Sequence, residues 1–542
     1  MTEHSIISTA AGGESAQEAS RRLVDGLLRP GAYPHPTRQV ELLETHCAWV
    51  LLTGEFAFKI KKPVDFGFLD YSTLEKRRFF CQEEIRLNRR FAPQIYLDVV
   101  AIRGAPEQPH MEGEGPVLEY AVRMRQFPAD GLLSQLAETG RLEAAHIDQM
   151  IERIADFHRT TGRAAPESEY GDPARIHHWV VENFEHVRSA ISSAEDLQQL
   201  ARLRQWVEQE RVRLDALLHS RKRDGFIREC HGDLHLGNLT LIDGVVTLFD
   251  CIEFNPELRW IDVISEVAFL IMDLQERGYA GFANRFLNGY LQHTGDYEGI
   301  GVLPYYLVYR AAVRAKVAVL RAQQAAPASP VLRHARREYH EYASLAGQYT
   351  EPRRPALLIT CGLSGSGKST LAGQLCEQLG LIQLRSDLER KRLAGLAALD
   401  SSRSALGAGL YTPDQTEQTY RRLAQLAATV VGAGYTALVD ATFLQRGHRE
   451  MFRELAADRG VPFAILDCRA PEDELRRRIR QRQAAGADAS EADLQVLDAQ
   501  LAGREPLDGD ETARAIRVDT AAPEHFAALL DELRQRALID PG

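Results

Sequence analysis

Residues 47–60, CAWVLLTGEFAFKI, are two apolar, β-rich runs around Thr53-Gly54-Glu55, and a hairpin is predicted there. The spacing then changes to a helical one over 73–91, with Leu74, Phe80, Ile85, Leu87 and Phe91 on or near one face. A strand is predicted over 117–127 and amphipathic helices over 142–159 and 195–219. VVTLFD (245–250) reads as a strand, and a helical block runs from 260 to 345, interrupted at QQAAPASPVLR (323–333). Pro352 and Pro355 forbid helix in GQYTEPRRP (347–355), which marks a domain boundary. Beyond it ALLIT (356–360), YTALVD (435–440) and PFAILD (462–467) alternate with helical stretches, the pattern of a parallel α/β sheet. The expected organisation is a flexible N-terminus (1–24), an α+β domain (25–345), a linker (346–355) and an α/β domain (356–542).

The length supports this division, since 542 residues exceed what one core organises. A net charge of −11 argues against a general nucleic-acid or membrane surface. Seven dispersed cysteines without C-x-x-C spacing point to reduced thiols in a cytosol and away from zinc. The first twenty residues carry no cationic start and no apolar stretch of the secretory kind, and no run of 18 apolar residues occurs. A cytoplasmic protein with no membrane contact is expected. The isolated histidines are expected on the surface, and none is assigned to metal.

Residues 231–238, HGDLHLGN, carry the first candidate chemistry. Phosphoryl transfer needs a carboxylate aimed at the acceptor hydroxyl, with an amide and a second carboxylate converging on magnesium beside the phosphates. Asp233 fits the first role, Asn238 and Asp250 the second. Phe56-Ala57-Phe58-Lys59 has the form of a lysine-bearing V-A-I-K strand, which places Lys59 on the nucleotide phosphates, with Lys61 on the same face as the alternative. The helix over 73–91 supplies an ion-pair partner, Glu84 or its neighbour Glu83.

The H-G-D-x-H-x-x-N loop and the helix end Ala155-Asp156-Phe157-His158 resemble the aminoglycoside phosphotransferase and choline kinase branch of the protein-kinase-like fold, over about residues 25–345. The resemblance implies an ATP-dependent kinase domain. Two departures stand out. THCAWV (45–50) replaces a glycine-rich loop, and Glu253 closes the metal motif Phe249-Asp250-Cys251-Ile252-Glu253. Arg259 and Asp262 stand where that branch has a structural aspartate, and a structural role is expected for both.

Residues 362–369, GLSGSGKS, form a complete G-x-x-x-x-G-K-S/T loop between an apolar strand and a helix. Its backbone N–H groups (Gly362, Leu363, Ser364, Gly365, Ser366, Gly367, with Thr370 behind) suit phosphate oxygens, Lys368 the β- and γ-phosphates, and Ser369 magnesium. Asp387 and Arg390 follow a second strand, where an aspartate faces an acceptor hydroxyl. Asp440 ends a third strand, in a metal-binding or an acceptor-organising place. Arg478 and Arg482 share a helix face suited to a lid over the γ-phosphate; a solvated arginine face is the alternative. Arg446 and Arg449 fall on the next predicted helix, and Tyr411 and Tyr420 are expected in the core rather than in an acceptor pocket.

This second set resembles the polynucleotide kinase and zeta-toxin group of P-loop kinases over about residues 355–540. The whole chain resembles bacterial proteins joining an aminoglycoside-phosphotransferase-like kinase to a zeta-toxin-like ATPase. The resemblance implies a bifunctional phosphotransferase with Mg-ATP in each domain and small-molecule acceptors. The alternatives are one catalytic domain with an ATP-sensing partner, and a C-terminal kinase of nucleic-acid 5′-hydroxyls, which the acidic balance disfavours.

Overall fold

The computed structural model describes residues 16–67, 69–396, 412–485, 492–522 and 524–539. The chain divides into two compact units, residues 1–142 with 229–261, and residues 143–228 with 262–542.

The first unit is built on a six-stranded antiparallel sheet ordered β1-β2-β3-β6-β4-β5. Its strands are β1 (Glu41–Glu44), β2 (Ala48–Leu52), β3 (Phe56–Lys61), β4 (Tyr96–Ala105), β5 (Gln108–Met111) and β6 (Val117–Arg125). Strand alternation decides the site. In β3, Phe58 and Ile60 join one core with Trp49, Leu51 and Ile102, while Lys59 and Lys61 reach carboxylates of the helix α2 (Leu74–Asn88). That first core also takes Leu23, Val24 and Leu27 of α1 (Ala16–Leu27). The expected flexible N-terminus of 1–24 is thus corrected: the chain is helical from Ala16, and Leu23 and Val24 pack into the core, because an apolar stripe hides in a polar stretch. Residues 1–15 lie outside the described residues. A short helix α3 (Leu133–Glu138) and the hairpin β8 (Leu239–Ile242) and β9 (Val245–Leu248) complete this unit.

The second unit holds a helical part and the α/β part. Its helices are α4 (Ala144–Thr160), α5 (Pro173–Ala190), α6 (Ala194–Arg223), α7 (Val263–Glu276), α8 (Ala280–Thr294), α9 (Leu303–Gln324) and α10 (Pro330–Tyr349). The short strands β7 (Ile227–Glu229) and β10 (Trp260–Asp262) fall where the chain passes from one unit to the other. Buried Arg221 of α6 is clamped between Asp262 (2.6 Å) and Asp296 (2.8 Å), so Asp262 serves the scaffold.

The α/β part has a five-stranded parallel sheet ordered β12-β13-β11-β14-β15. The strands are β11 (Leu357–Cys361), β12 (Ile382–Arg385), β13 (Ala437–Asp440), β14 (Phe463–Arg469) and β15 (Ala515–Asp519). Every residue of β11 is buried, as a central parallel strand requires. The accompanying helices are α11 (Lys368–Leu379), α12 (Ser386–Leu393), α13 (Pro413–Gly432), α14 (Arg446–Arg459), α15 (Glu472–Ala485), α16 (Leu494–Gly503), α17 (Gly509–Arg514) and α18 (His525–Gln535).

The edge strand β12 is not left open. Asn288 and Gln292, four residues apart on α8, face it with their amides, and Asn284 one turn earlier faces the end of α11. Asn284 Nδ2 donates to the Glu377 carbonyl (2.9 Å). Asn288 donates to the Leu381 carbonyl (2.9 Å) and accepts from the Gln383 N–H (2.8 Å), doing for the edge what another strand would. The helical part and the α/β part therefore pack as one unit, and the expected linker over 346–355 starts inside α10.

Candidate functional sites

In the first unit, the loop before β8 and the segment after β9 build one site. Gly232 has φ +90°, and a Cβ there would lie 2.7 Å from the Leu258 carbonyl, so the loop His231-Gly232-Asp233 admits only glycine in its middle. Buried His231 receives the Asp233 N–H on Nδ1 (3.3 Å) and donates from Nε2 to the Phe249 carbonyl (2.7 Å), a neutral imidazole tying the loop to the segment carrying Asp250. Asn238 Nδ2 donates to Asp233 Oδ2 (3.0 Å) and to the Asp233 carbonyl (2.9 Å). Asp250 is held at φ +64°, with its N–H donated to the Tyr96 hydroxyl (3.0 Å). A non-glycine residue in the left-handed region costs energy and persists only where its surroundings enforce it.

Both candidate lysines reach one carboxylate. Lys59 Nζ lies 2.9 Å from Glu84 Oε1 and 2.5 Å from Asp250 Oδ1. Lys61 Nζ lies 2.7 Å from Glu84 Oε2 and also binds Glu253, which in turn accepts from the Tyr71 hydroxyl. Glu84 is fully buried. Burial alone would raise its carboxyl, but the two ammonium groups outweigh that and hold it below the usual carboxylate range. Burial would depress Lys59, yet Asp250 and Glu84 hold it well above its ordinary value. Glu83, the alternative, pairs instead with Arg86 (2.9 Å) and Arg259 (3.6 Å). Arg259 also bonds Glu229 and the Glu253 carbonyl, a scaffold role. In place of a glycine-rich loop stands the tight turn between β1 and β2 at residues 45–47. Tyr71 was not foreseen; it lies between predicted elements and acts only through tertiary contact.

In the second unit, the loop Gly362–Ser369 joins β11 to α11 at the carboxyl end of the sheet, where open α/β folds bind ligands. Gly362 and Gly365 are obligatory: a Cβ would lie 2.4 Å from the Cys468 carbonyl and 2.8 Å from the Leu475 carbonyl respectively. Buried Lys368 donates to the Leu363 carbonyl (2.7 Å), and burial pulls its ammonium below its ordinary value. A pocket of about 370 Å³ opens over the loop. It brings together Ser364, Gly365, Gly367, Lys368, Ser369, Thr370, Asp387, Arg390, Asp440, Arg478 and Arg482, with Gly362, Leu363 and Ser366 outside its lining.

The arginines divide. Arg478 is spent on structure: it donates to the Gly365 carbonyl (3.3 Å) and Thr520 Oγ1 (3.0 Å) and pairs with Glu474. Arg482 lines the pocket and donates to the Ala492 carbonyl (2.7 Å). Arg480 is exposed and does not line it. Arg449 is buried on Glu511 (2.7 Å) and does not line the pocket. Tyr420 is buried but also lines the pocket, stacked on His448 at 3.7 Å between ring centroids. His448 is therefore not at the surface, where the isolated histidines were expected, because it fills the space between Tyr420 and Glu417. Tyr411 lies outside the described residues.

Ser369 hydrogen-bonds the Asp440 carboxylate, and burial raises that carboxyl against the opposing pull of Arg385 and Lys368. These hard oxygen donors fit magnesium, as do Asn238 and Asp250 in the first unit. Sequence reasoning missed Arg385 and Gln383. Arg385 sits opposite Asp440 in the β12–β13 register, and its place at the carboxyl end of a strand was a usable signal. Gln383 joins Gln292 of α8 (3.1 Å) to Asp440 Oδ2 (3.0 Å), a link that no spacing discloses.

These sites and folds define a phosphotransferase with two kinase-type domains. The family described as "Phosphotransferase enzyme family" matches residues 81–303, and the family described as "AAA domain" matches residues 357–507. The chain is 32% identical over 489 residues to Uncharacterized protein Rv2004c of Mycobacterium tuberculosis, covering 89% of this chain and 93% of that protein. The chain belongs to that family of two-domain fusions, a phosphotransferase domain followed by a P-loop kinase-like domain. An adenylyl-sulfate kinase of Erwinia tasmaniensis is 29% identical over 211 residues, 37% of this chain and 94% of its own length. Among solved structures, a choline/ethanolamine kinase family protein from Mesorhizobium loti is 10% identical, covers 61% of this chain and 97% of its own, and has a TM-score of 0.37. No helix among the described residues is long and apolar enough to cross a membrane.

Proposed function

We propose that each domain transfers the γ-phosphate of ATP to a hydroxyl of its own acceptor. The observation that carries this reading is the gathering, in both units, of a buried or largely buried lysine with two separate carboxylates. In the first, Lys59 holds the nucleotide phosphates, Asn238 and Asp250 hold magnesium, and Asp233 orients the acceptor hydroxyl. In the second, Lys368 and the loop N–H groups hold the phosphates, Ser369 and Asp440 the metal, and Asp387 with Arg390 the acceptor. Arg482 meets the charge on the phosphoryl group in flight. Magnesium, when bound, supplies charge neutralisation between the phosphate oxygens.

The likeness to an adenylyl-sulfate kinase supports a small anionic alcohol as acceptor of the second domain, over a polynucleotide. The net charge of −11 supports the same choice. The test is phosphate transfer from labelled ATP across sugars, aminoglycosides, adenylyl sulfate, nucleosides and oligonucleotides. Asp233→Asn is expected to abolish one set of products and Asp387→Asn another. A single product set, lost in one variant and untouched in the other, would reduce the reading to one catalytic domain and one ATP sensor.

A further inference from the structure

At the opposite end of the parallel sheet from the phosphate loop lies a second cleft, of about 580 Å³. Its walls are the starts of β12 and β13 on one side and helices α7, α8, α9 and α10 on the other. Its volume falls within the range of metabolite sites, which favour such junctions between parts of a fold.

The chemistry of the walls is one-sided. The chain carries 76 acidic residues against 65 lysines and arginines, yet no aspartate or glutamate lines this cleft, while Arg353 and Arg354 do. Neither guanidinium has an ion-pair partner among the described residues. Arg353 Cζ lies over the Tyr435 ring, 3.9 Å from its centroid, a cation–π contact that holds the guanidinium beside the cleft. Tyr435 lines the cleft and is 9% exposed, and its buried hydroxyl has no hydrogen-bond partner. A buried hydroxyl without a partner carries a desolvation cost that a ligand oxygen would relieve. Leu303 and Leu345 give the cleft an apolar side, and Gln348 a further amide.

We infer that this cleft binds a metabolite-sized organic anion with an apolar body. Its anionic head meets Arg353 and Arg354, its body lies against Leu303 and Leu345, and a head oxygen accepts from the Tyr435 hydroxyl. The site is separate from the catalytic pocket, whose lining shares no residue with it. Because the ligand touches both the helical part and the sheet, its binding energy bears on their packing.

The probe is 8-anilinonaphthalene-1-sulfonate, an aromatic sulfonate whose fluorescence rises in apolar surroundings. It is titrated into the full chain saturated with magnesium and a non-hydrolysable ATP analogue. One saturable site is expected. Arg353→Ala with Arg354→Ala weakens it by about tenfold or more, and Tyr435→Phe by about threefold. Both arginines are exposed, so that variant keeps its fold. Leu345→Trp fills the cleft and removes binding, and Lys368→Ala leaves it unchanged. Absence of saturable binding, an affinity indifferent to the arginine pair, or loss of binding in Lys368→Ala would each overturn the inference.

Discussion

The two candidate sites hold their lysines in opposite ways. In the first unit the lysines are enclosed by the protein's own carboxylates: Glu84, Asp250 and Glu253 surround Lys59 and Lys61. In the second, Lys368 has only neutral oxygens within hydrogen-bond reach among the described residues, the Leu363 carbonyl and Ser366 Oγ. Accordingly Lys59 sits well above its ordinary pKa and Lys368 below it. The lesson is that the first cluster ties a strand, a helix and the segment after β9 together by ion pairs, whereas Lys368 makes no ion pair among the described residues.

The largest expected effect comes from breaking the enclosed cluster. Lys61→Ala leaves Glu253 and one oxygen of Glu84 uncompensated in a buried place, a change that costs about 3–5 kcal/mol. Lys368→Ala should cost less than about 1 kcal/mol, since it removes a cation already disfavoured by burial. Urea unfolding of the full chain measures both, and equal losses would erase the contrast.

Next comes the lid. Arg482→Ala should lower kcat of the second domain by roughly 10³-fold with little change in KM for ATP, because its charge matters most in the transition state. Arg480→Ala, exposed and outside the pocket, should be near neutral. Steady-state kinetics decide it, and similar small effects from both would make α15 a solvated face.

In the first domain, Asp233→Asn should spare nucleotide binding and cut turnover by about 10²-fold. An unchanged rate would remove Asp233 from the acceptor position. The smallest effect should come from Gln383→Ala, about 1 kcal/mol in the second domain's kcat/KM, with the first domain's rate untouched. Equal losses in both domains would mean that Gln383 serves only the general fold.

In the α/β part β11, β13 and β14 were legible as continuous apolar runs and the loop by its fixed glycines; even so, the strand expected over 435–440 begins only at Ala437, and the edge strand β15, which alternates with Arg517 and Asp519, was not read. The first unit was harder to read. The buried stripe of α2 runs through Arg77, Cys81, Glu84, Ile85 and Asn88, with Arg77 paired to Glu119 at 2.8 Å. Apolar spacing pointed instead to Phe80, which is only half-buried. Polar groups that are buried because they are paired carry no hydrophobic signal. Lys59 and Lys61 were legible as a pair two residues apart on one strand face, but their sharing of Glu84 was not, since it depends on where α2 packs. The row of amides on α8 was invisible for the same reason: Asn288 and Gln292 are ordinary helix-surface residues until β12 lies against them.

The central claim is that one chain carries two nucleotide sites of different construction. It is tested most directly by calorimetric titration of the full chain with a non-hydrolysable ATP analogue and magnesium. The account predicts two sites per chain in the wild type, one in Lys368→Ala and one in Asp250→Asn. A single site in the wild type, or two undiminished sites in Lys368→Ala, would contradict it.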